Sequence, residues 1–164
     1  MSVYGKSFGL STPAEYLDKL EWEFERMMKA GPATGRELSY HAMNLAVTGW
    51  HMTDWTYPHL PADQKQRFKN SFYFQKWIAA QHRVLAACRD VATASKHMTV
   101  RDSPDPSIET VDVGYVDVAY VEDGYVDVAW HIAIDGELYG LREFGETVIS
   151  FWQNYLESLG LLPV

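Results

Sequence analysis

Cysteine and long apolar runs are both scarce in this chain of 164 residues. Cys88 is its one cysteine, which excludes an intrachain disulfide and a zinc site built from several cysteines. No apolar run approaches the roughly 20 residues that a membrane-spanning helix needs, and residues 1–10 contain no apolar core of a secretion signal. The chain is 47% hydrophobic, so it can bury a core. We therefore expect a single soluble domain in the cytoplasm, without a membrane partner.

Common catalytic and nucleotide-binding motifs are also absent from the sequence. It contains no phosphate-binding loop, no Gly-x-Gly-x-x-Gly, no Gly-x-Ser-x-Gly and no His-Glu-x-x-His. His51 and Asp54 lie about one helical turn apart, but two ligands do not make a metal site. The acidic residues between 112 and 127 match no calcium-loop spacing and are better explained as solvated strand positions. We therefore expect neither a metal nor a cofactor.

Basic residues almost disappear from the last third of the chain. Residues 102–164 contain one, Arg142, against 13 acidic residues, a net charge of −12. Residues 1–101 contain 13 basic and 9 acidic residues, a net charge of +4, and the two parts together give the whole-chain value of −8. Such asymmetry fits a surface that faces a polyanion, an electrostatic match within the fold, or two differently solvated faces. The net charge alone therefore selects no partner.

Helix signals dominate the first hundred residues. Thr12 and Glu15 form a capping box with proline at the first helical position, which predicts the start of a helix. A second predicted helix ends near Tyr57 and is apolar on most sides, as central helices are. Asp63 can cap a third helix that extends to about His97. This stretch of 35 residues is long for a globular helix, so we expect a kink or a break within it.

A ten-residue repeat follows, in residues 111–119 and 121–129, and its apolar residues alternate as in a β-strand. A three-residue loop at 122–124, with glycine in the left-handed position, would form a hairpin that pairs Val116 with Trp130. Two copies of the repeat are too few for a solenoid, so a β-meander is the better account.

The next hairpin is predicted at Asp135-Gly136, a strong two-residue turn signal that places Ile132 opposite Tyr139. A last amphipathic helix follows, with Gly160 as its stop. It is the obvious cover for the apolar face of the meander.

These elements predict an α+β fold in one domain, residues 1–164. Its parts are a three-helix N-terminal bundle in residues 11–100, a three-stranded antiparallel β-meander in residues 108–142, and a C-terminal helix packed on it in residues 143–160.

The second helix carries a polar and aromatic stripe, away from the apolar face that Leu38 and Leu45 share. The stripe begins at His41, and its residues recur every three or four positions, so they lie one above another. They can contact a partner, or be hydrogen-bonded and partly exposed within the fold. The candidate interaction residues of this stripe are Asn44, Thr48, His51 and Trp55.

Cations are concentrated on the predicted third helix. Between Pro61 and Arg101 there are eight basic residues and two acidic ones. The long basic side chains can cover apolar surface at a solvated helix edge, or their charges can face phosphates. The eight are Lys65, Arg67, Lys69, Lys76, Arg83, Arg89, Lys96 and Arg101.

The second and third helices can bring distant side chains together if they pack side by side. If they pack antiparallel across a short link at Pro58–Pro61, a residue of one helix lies at the same height along the axes as a residue of the other when their numbers sum to about 120. Histidine and arginine side chains would then converge. Histidine shuttles protons and arginine stabilises the charge of a phosphorane-like transition state, so this cluster suits phosphodiester cleavage. The candidate catalytic residues brought together in this way are Arg36, His41, His82 and Arg89.

The segment Cys88-Arg-Asp-Val-Ala-Thr-Ala-Ser-Lys-His97 resembles the arginine–polar–histidine signature of the HEPN superfamily. Seven residues separate Arg89 from His97, more than the family usually has, whereas four separate Arg36 from His41. The resemblance implies a small helical protein, often a dimeric ribonuclease, a toxin or a nucleotide-binding module. It also implies Arg89 and His97 as catalytic residues.

Two classes of function follow. The one that we favour is a non-catalytic protein-interaction or self-associating module, with a partner protein or a homodimer. The alternative is a HEPN-like, metal-independent ribonuclease or an RNA-binding protein that uses arginine and histidine side chains of the helices. Retention on heparin at low salt distinguishes an exposed basic third helix from one that is covered by the acidic part of the chain.

Overall fold

The fold is α+β, with helices packed against a small antiparallel sheet, as predicted. A computed structural model describes residues 7–30, 35–96, 105–112 and 130–163. The helices are α1 (Pro13–Lys29), α2 (Gly35–Thr56), α3 (Ala62–Lys65), α4 (Ser71–Gln81), α5 (Arg83–Lys96) and α6 (Leu141–Ser158), with a 3-10 turn at Tyr57–His59. The strands are β1 (Ile108–Asp112), β2 (Trp130–Ile134) and β3 (Glu137–Gly140).

The predicted capping box at the start of α1 is confirmed. The Thr12 hydroxyl accepts a hydrogen bond from Glu15 N at 3.2 Å, and the Glu15 carboxylate accepts one from Thr12 N at 2.9 Å. The backbone N–H of Ser11 donates to the same carboxylate at 2.7 Å. This bond, more than the others, lowers the pKa of Glu15. The box satisfies backbone donors that lack a partner at a helix N-terminus.

α2 is the central helix, as its apolar pattern predicts. Leu45 and Met52 are fully buried, and α1, α5 and α6 all pack on α2. α6 approaches α2 closely at Gly49, whose carbonyl accepts a hydrogen bond from Trp152 Nε1 of α6 at 2.9 Å. A Cβ atom at Gly49 would lie 2.7 Å from Val148 Cγ1, so glycine is required for this approach.

The long third helix is divided into α3, α4 and α5. Asp63 lies inside α3 and does not cap it, because Pro61 occupies the N-cap position. The cap of α4 is Asn70, whose Oδ1 accepts a hydrogen bond from Tyr73 N at 3.4 Å. The predicted helix start at Asp63 therefore applies to a single turn, and the long helical segment begins later.

The second break is at His82, which has an extended backbone with φ −152° and ψ 138°. Its Nδ1 accepts a hydrogen bond from Val84 N at 3.2 Å, and its carbonyl accepts one from Leu85 N at 3.0 Å. His82 therefore satisfies two backbone donors at the N-terminus of α5, as an N-cap residue does.

The segment that joins α2 to α4 is longer than the predicted link at Pro58–Pro61, since it extends from residue 57 to residue 70. This length changes the antiparallel register of the helices. Cys88 Sγ of α5 lies 3.5 Å from the position that a Cβ atom at Gly49 would occupy. With the shorter link, residue 71 and not Cys88 would lie beside Gly49. The predicted register is therefore wrong.

The predicted three-stranded antiparallel meander is confirmed, with β2 in the centre. Ile132 pairs with Tyr139 across the turn, as predicted. The turn residues Asp135 and Gly136 both have positive φ, 55° and 82°. Two successive residues of this kind suit the right-handed twist of a two-residue hairpin.

The register of the first strand pair differs from the prediction, because Trp130 pairs with Asp112 and not with Val116. The same register continues one residue beyond the strands, where Asp135 N donates to Ser107 O at 2.9 Å. The predicted hairpin of the repeat, at 113–129, lies outside the described residues.

α6 covers the sheet, as predicted, and shares this role with α5 and α2. Ile132 and Ile134 of β2 are buried beneath these helices, and Phe144 and Trp152 of α6 are fully buried. α6 begins two residues earlier than predicted. The helix ends before Gly160, whose φ of +66° is left-handed, as a helix stop requires.

Candidate binding surface

The polar stripe predicted on α2 packs in part against α1. Thr48 is 2% exposed and accepts a hydrogen bond from Lys19 Nζ at 2.8 Å. The Trp55 ring stacks on the Tyr16 ring, with centroids 4.6 Å apart. Thr48 and Trp55 therefore have partners within the fold. Asn44 of the same stripe is exposed to solvent.

His51 of the same stripe is half-buried, and burial lowers the pKa of its imidazole. The stripe therefore retains exposed surface mainly at Asn44 and His51. The proposed contact of these two residues with a partner stays a prediction.

The candidate catalytic residues have different surroundings. His82 caps α5, as described above. Arg89 Nε donates to Asp90 Oδ1 at 2.7 Å, and the other oxygen of this carboxylate accepts a hydrogen bond from Asp105 N at 3.1 Å. His41 is half-buried in α2. Arg89 is thus part of a contact that holds the chain near the start of β1.

The register of the helices separates Arg36 from Arg89, two of the candidate catalytic residues. Arg36 is exposed and lies 13 residues before Gly49, which is about 20 Å along α2. Arg89, next to Cys88, lies at the level of Gly49. The shorter link on which the predicted convergence depended is not present, and Arg36 and Arg89 do not lie at the same height along the helices. His97 lies outside the described residues, and its action with Arg89 stays a prediction.

The ion-pair cluster that joins α5 to the sheet was not singled out by the sequence analysis. Arg83 donates to both carboxylate oxygens of Asp135, at 2.7 and 2.9 Å. It also donates to Asp105 at 2.8 Å and to Ser107 Oγ at 2.6 Å. The guanidinium lowers the pKa of Asp105 and of Asp135. The charge of Arg83 is thus paired with acidic residues within the fold. These partners are 22 and 52 residues away in sequence, so no local pattern predicts the pairing.

Cations and aromatic rings are interleaved along residues 57–77, and we call this surface the cation–aromatic face. The Lys76 ammonium lies 4.8 Å from the Phe72 ring centroid, and the Lys65 ammonium lies 5.2 Å from that of Tyr57. Attraction to the ring faces holds these cations beside the rings. The face consists of Tyr57, Lys65, Arg67, Phe68, Lys69, Phe72, Tyr73, Lys76 and Trp77.

Two rings of this face are exposed, Phe72 at 55% and Tyr73 at 47%. They lie in the first turn of α4, which buries Phe74 and Ile78 instead. Their ring planes are nearly perpendicular, at 82°, with centroids 5.7 Å apart. The face therefore presents two ring surfaces that point in different directions.

The remaining rings form a packed base beneath the face. The Phe68 centroid lies 5.3 Å from that of Phe74, which is fully buried. The Trp77 centroid lies 5.6 Å from that of Tyr155 on α6. The Arg67 guanidinium lies 5.8 Å from the Trp77 centroid. The packing fixes these rings, and through them the cation beside Trp77.

The positive charge of the face is not compensated by ion pairs. Within the described ranges, none of its four cations takes part in a salt bridge. Lys65 donates to Pro58 O at 3.2 Å, and Arg67 donates to Gln64 Oε1 at 2.8 Å, so both partners are neutral. Asp63 is the one acidic residue between 57 and 77.

A separate apolar cavity of about 230 Å³ lies between α2, α5 and the sheet. Ala46 and Ile132 form its buried floor, and Ser39 and Thr110 add hydroxyl groups to its lining. The described catalytic candidates do not line it. Its chemistry suits a small apolar group and not a phosphodiester.

Within the part of the chain that the structure describes, no group of three or more His, Cys, Asp or Glu side chains is placed to hold a metal ion. No helix in those ranges is long and apolar enough to cross a membrane. Comparison with protein-family models, curated proteins and solved structures finds no match to this chain. Membership of the HEPN superfamily therefore stays a prediction from residues 88–97.

Proposed function

We propose that this protein is a non-catalytic binding module that docks an anionic macromolecule on the cation–aromatic face. The observation that carries the proposal is the presence in residues 65–76 of four cations without acidic partners and of two exposed rings, Phe72 and Tyr73, of which Phe72 lies 4.8 Å from the Lys76 ammonium. Uncompensated cations attract anions over distances of about a Debye length, roughly 10 Å at moderate salt. Exposed aromatic rings supply the contact area that often dominates binding energy.

Binding fits the described histidine and arginine side chains better than catalysis. His82 and Arg89 have partners within the fold, and Arg36 is distant from Arg89. The ribonuclease alternative, with Arg89 and His97 as the catalytic pair, is tested by RNA cleavage in the absence of divalent metal. Cleavage that is lost in His97→Ala and in His41→Ala would support it, and intact RNA would favour binding alone.

A homodimer is one form of the proposal, because residues 102–164 of a second copy have the opposite charge. Light scattering at low salt tests this form. A mass of twice the 18.7 kDa chain that falls to the monomer value in Lys69→Glu/Lys76→Glu would identify the second copy as the partner. A monomer under all conditions would assign the face to a different macromolecule.

Retention on heparin at low salt tests the proposal itself. We expect the wild type to be retained and Lys69→Glu/Lys76→Glu to elute much earlier, because these changes reverse two charges of the face. Arg26→Glu/Lys29→Glu makes the same change in net charge on α1, where Lys29 pairs with Glu25 at 2.8 Å, and should elute close to the wild type. A wild type that is not retained, or equal losses in both variants, would contradict the proposal.

A further inference from the structure

We propose that the ligand of the cation–aromatic face is a single-stranded nucleic acid, whose phosphates contact the cations and whose bases stack on Phe72 and Tyr73. This inference rests on the proposed binding function and adds the class of ligand. It uses none of the residues in the segment 88–97 that resembles the HEPN signature.

The kind of cation favours phosphate over an acidic protein surface. Three of the four are lysines, which protein–protein interfaces tend to exclude, whereas lysine is a common partner of phosphate. The nearest acidic residue in sequence, Asp63, accepts a hydrogen bond from the neighbouring Gln64 at 3.2 Å. A polymer with regularly spaced charges can contact several of these cations at once. They are Lys65, Arg67, Lys69 and Lys76.

The exposed rings supply the second component of nucleic-acid binding. Phe72 and Tyr73 each expose about half of their surface, and their perpendicular planes let two bases stack without competing for one ring face. Stacking on aromatic side chains depends little on sequence, since every base has a flat π face. The Lys76 ammonium beside the Phe72 ring lets one nucleotide contact both side chains, through its phosphate and its base.

Exposed rings favour a single strand over a duplex. In a duplex the bases stack on one another and their faces are closed to side chains, whereas unpaired bases can turn out onto an aromatic surface. The face is also prepared for this role, because Phe68 and Trp77 are held from beneath by Phe74 and Tyr155. The cost of ordering side chains on binding therefore falls on Phe72, Tyr73 and the lysines, and not on Phe68 and Trp77.

Fluorescence anisotropy with three labelled probes tests the class of ligand: an oligouridine of about 20 nucleotides, an oligothymidine of the same length and a duplex of the same length. We expect both single strands to bind at least about tenfold more tightly than the duplex. Equal affinity for both single strands would mean that the face binds RNA and DNA alike. Tighter binding of oligouridine would assign it to RNA through contacts to the 2′-hydroxyl.

Two variants test the two kinds of contact. Phe72→Ala should weaken oligouridine binding about tenfold, whereas Trp22→Ala, which removes a ring of similar exposure on α1, should leave it unchanged. Lys69→Gln/Lys76→Gln should make the slope of log affinity against log salt shallower by about 1.4, since each phosphate contact to a single strand contributes about 0.7.

Equal affinity for the duplex, or an unchanged affinity in Phe72→Ala, would overturn the inference. A polyglutamate peptide that binds through Lys69 and Lys76 while oligouridine does not would overturn it as well, but would leave the proposed binding function standing. Failure of oligouridine, polyglutamate and heparin alike would overturn both.

Discussion

At the scale of single residues, Arg83 connects the helices to the sheet. Its guanidinium contacts Asp135 in the β2–β3 turn and both Asp105 and Ser107 just before β1. These contacts bring together parts of the chain that are 52 residues apart in sequence. They also remove one cation from the charge that is available to an outside anion.

Arg83→Gln should lower stability near neutral pH and have a progressively smaller effect as the pH falls below about 4. Arg83 lowers the folded-state pKa of Asp105 and of Asp135, so the ionised carboxylates stabilise the fold above their unfolded pKa of about 3.9. This stabilisation is lost as the pH falls through the lowered folded-state pKa. Urea unfolding of both proteins near pH 7 and at a series of values down to about pH 2 measures how the difference shrinks as the pH falls. A difference that is as large in acid as at neutral pH would contradict this account.

At the scale of elements, the contact between α2 and α6 depends on Gly49. Gly49→Ala should reduce the free energy of unfolding by about 1–3 kcal/mol, because the new Cβ would lie 2.7 Å from Val148 Cγ1. Chemical denaturation of Gly49→Ala, Val148→Ala and the double variant forms the test. We expect less than additive losses, since alanine at position 148 removes the clashing methyl group. Strictly additive losses would show that the two positions do not collide.

The boundary between α4 and α5 depends on the His82 side chain. His82→Ala should cost about 1 kcal/mol of stability, because Val84 N–H loses its acceptor. His82→Asn keeps an acceptor at this position and should remain close to the wild type. Thermal unfolding compares the three proteins, and equal losses in both variants would argue against a capping role.

Local sequence signals predict most of the elements but not their register. The capping box at Thr12 and the Asp135-Gly136 turn act within a few residues, and both are confirmed. A break in the third helix is predicted, but its position at His82 is not, although the hydrogen bonds of His82 are local. The pairing of Trp130 with Asp112 joins distant parts of the chain and does not follow from a local pattern. The concentration of cations was visible in the sequence. The exposure of Phe72 was not, because it depends on which side of α4 is buried.

At the scale of the whole molecule, the net charge of −8 conceals two different environments of the cations. Arg83 is paired with acidic residues of the C-terminal part, whereas the cation–aromatic face has no such partner in the described part of the chain. An anionic ligand is therefore repelled by the acidic part and attracted by the face. This field favours docking at one place, and its strength should fall with added salt.

An NMR titration of the ¹⁵N-labelled protein with a heparin-derived hexasaccharide tests most directly whether anions dock on the cation–aromatic face. The account predicts amide shift changes that are concentrated in residues 62–77 and that disappear in Lys69→Glu/Lys76→Glu. Shift changes centred on Arg36 or Arg89, or the same changes in the charge-reversed variant, would contradict it.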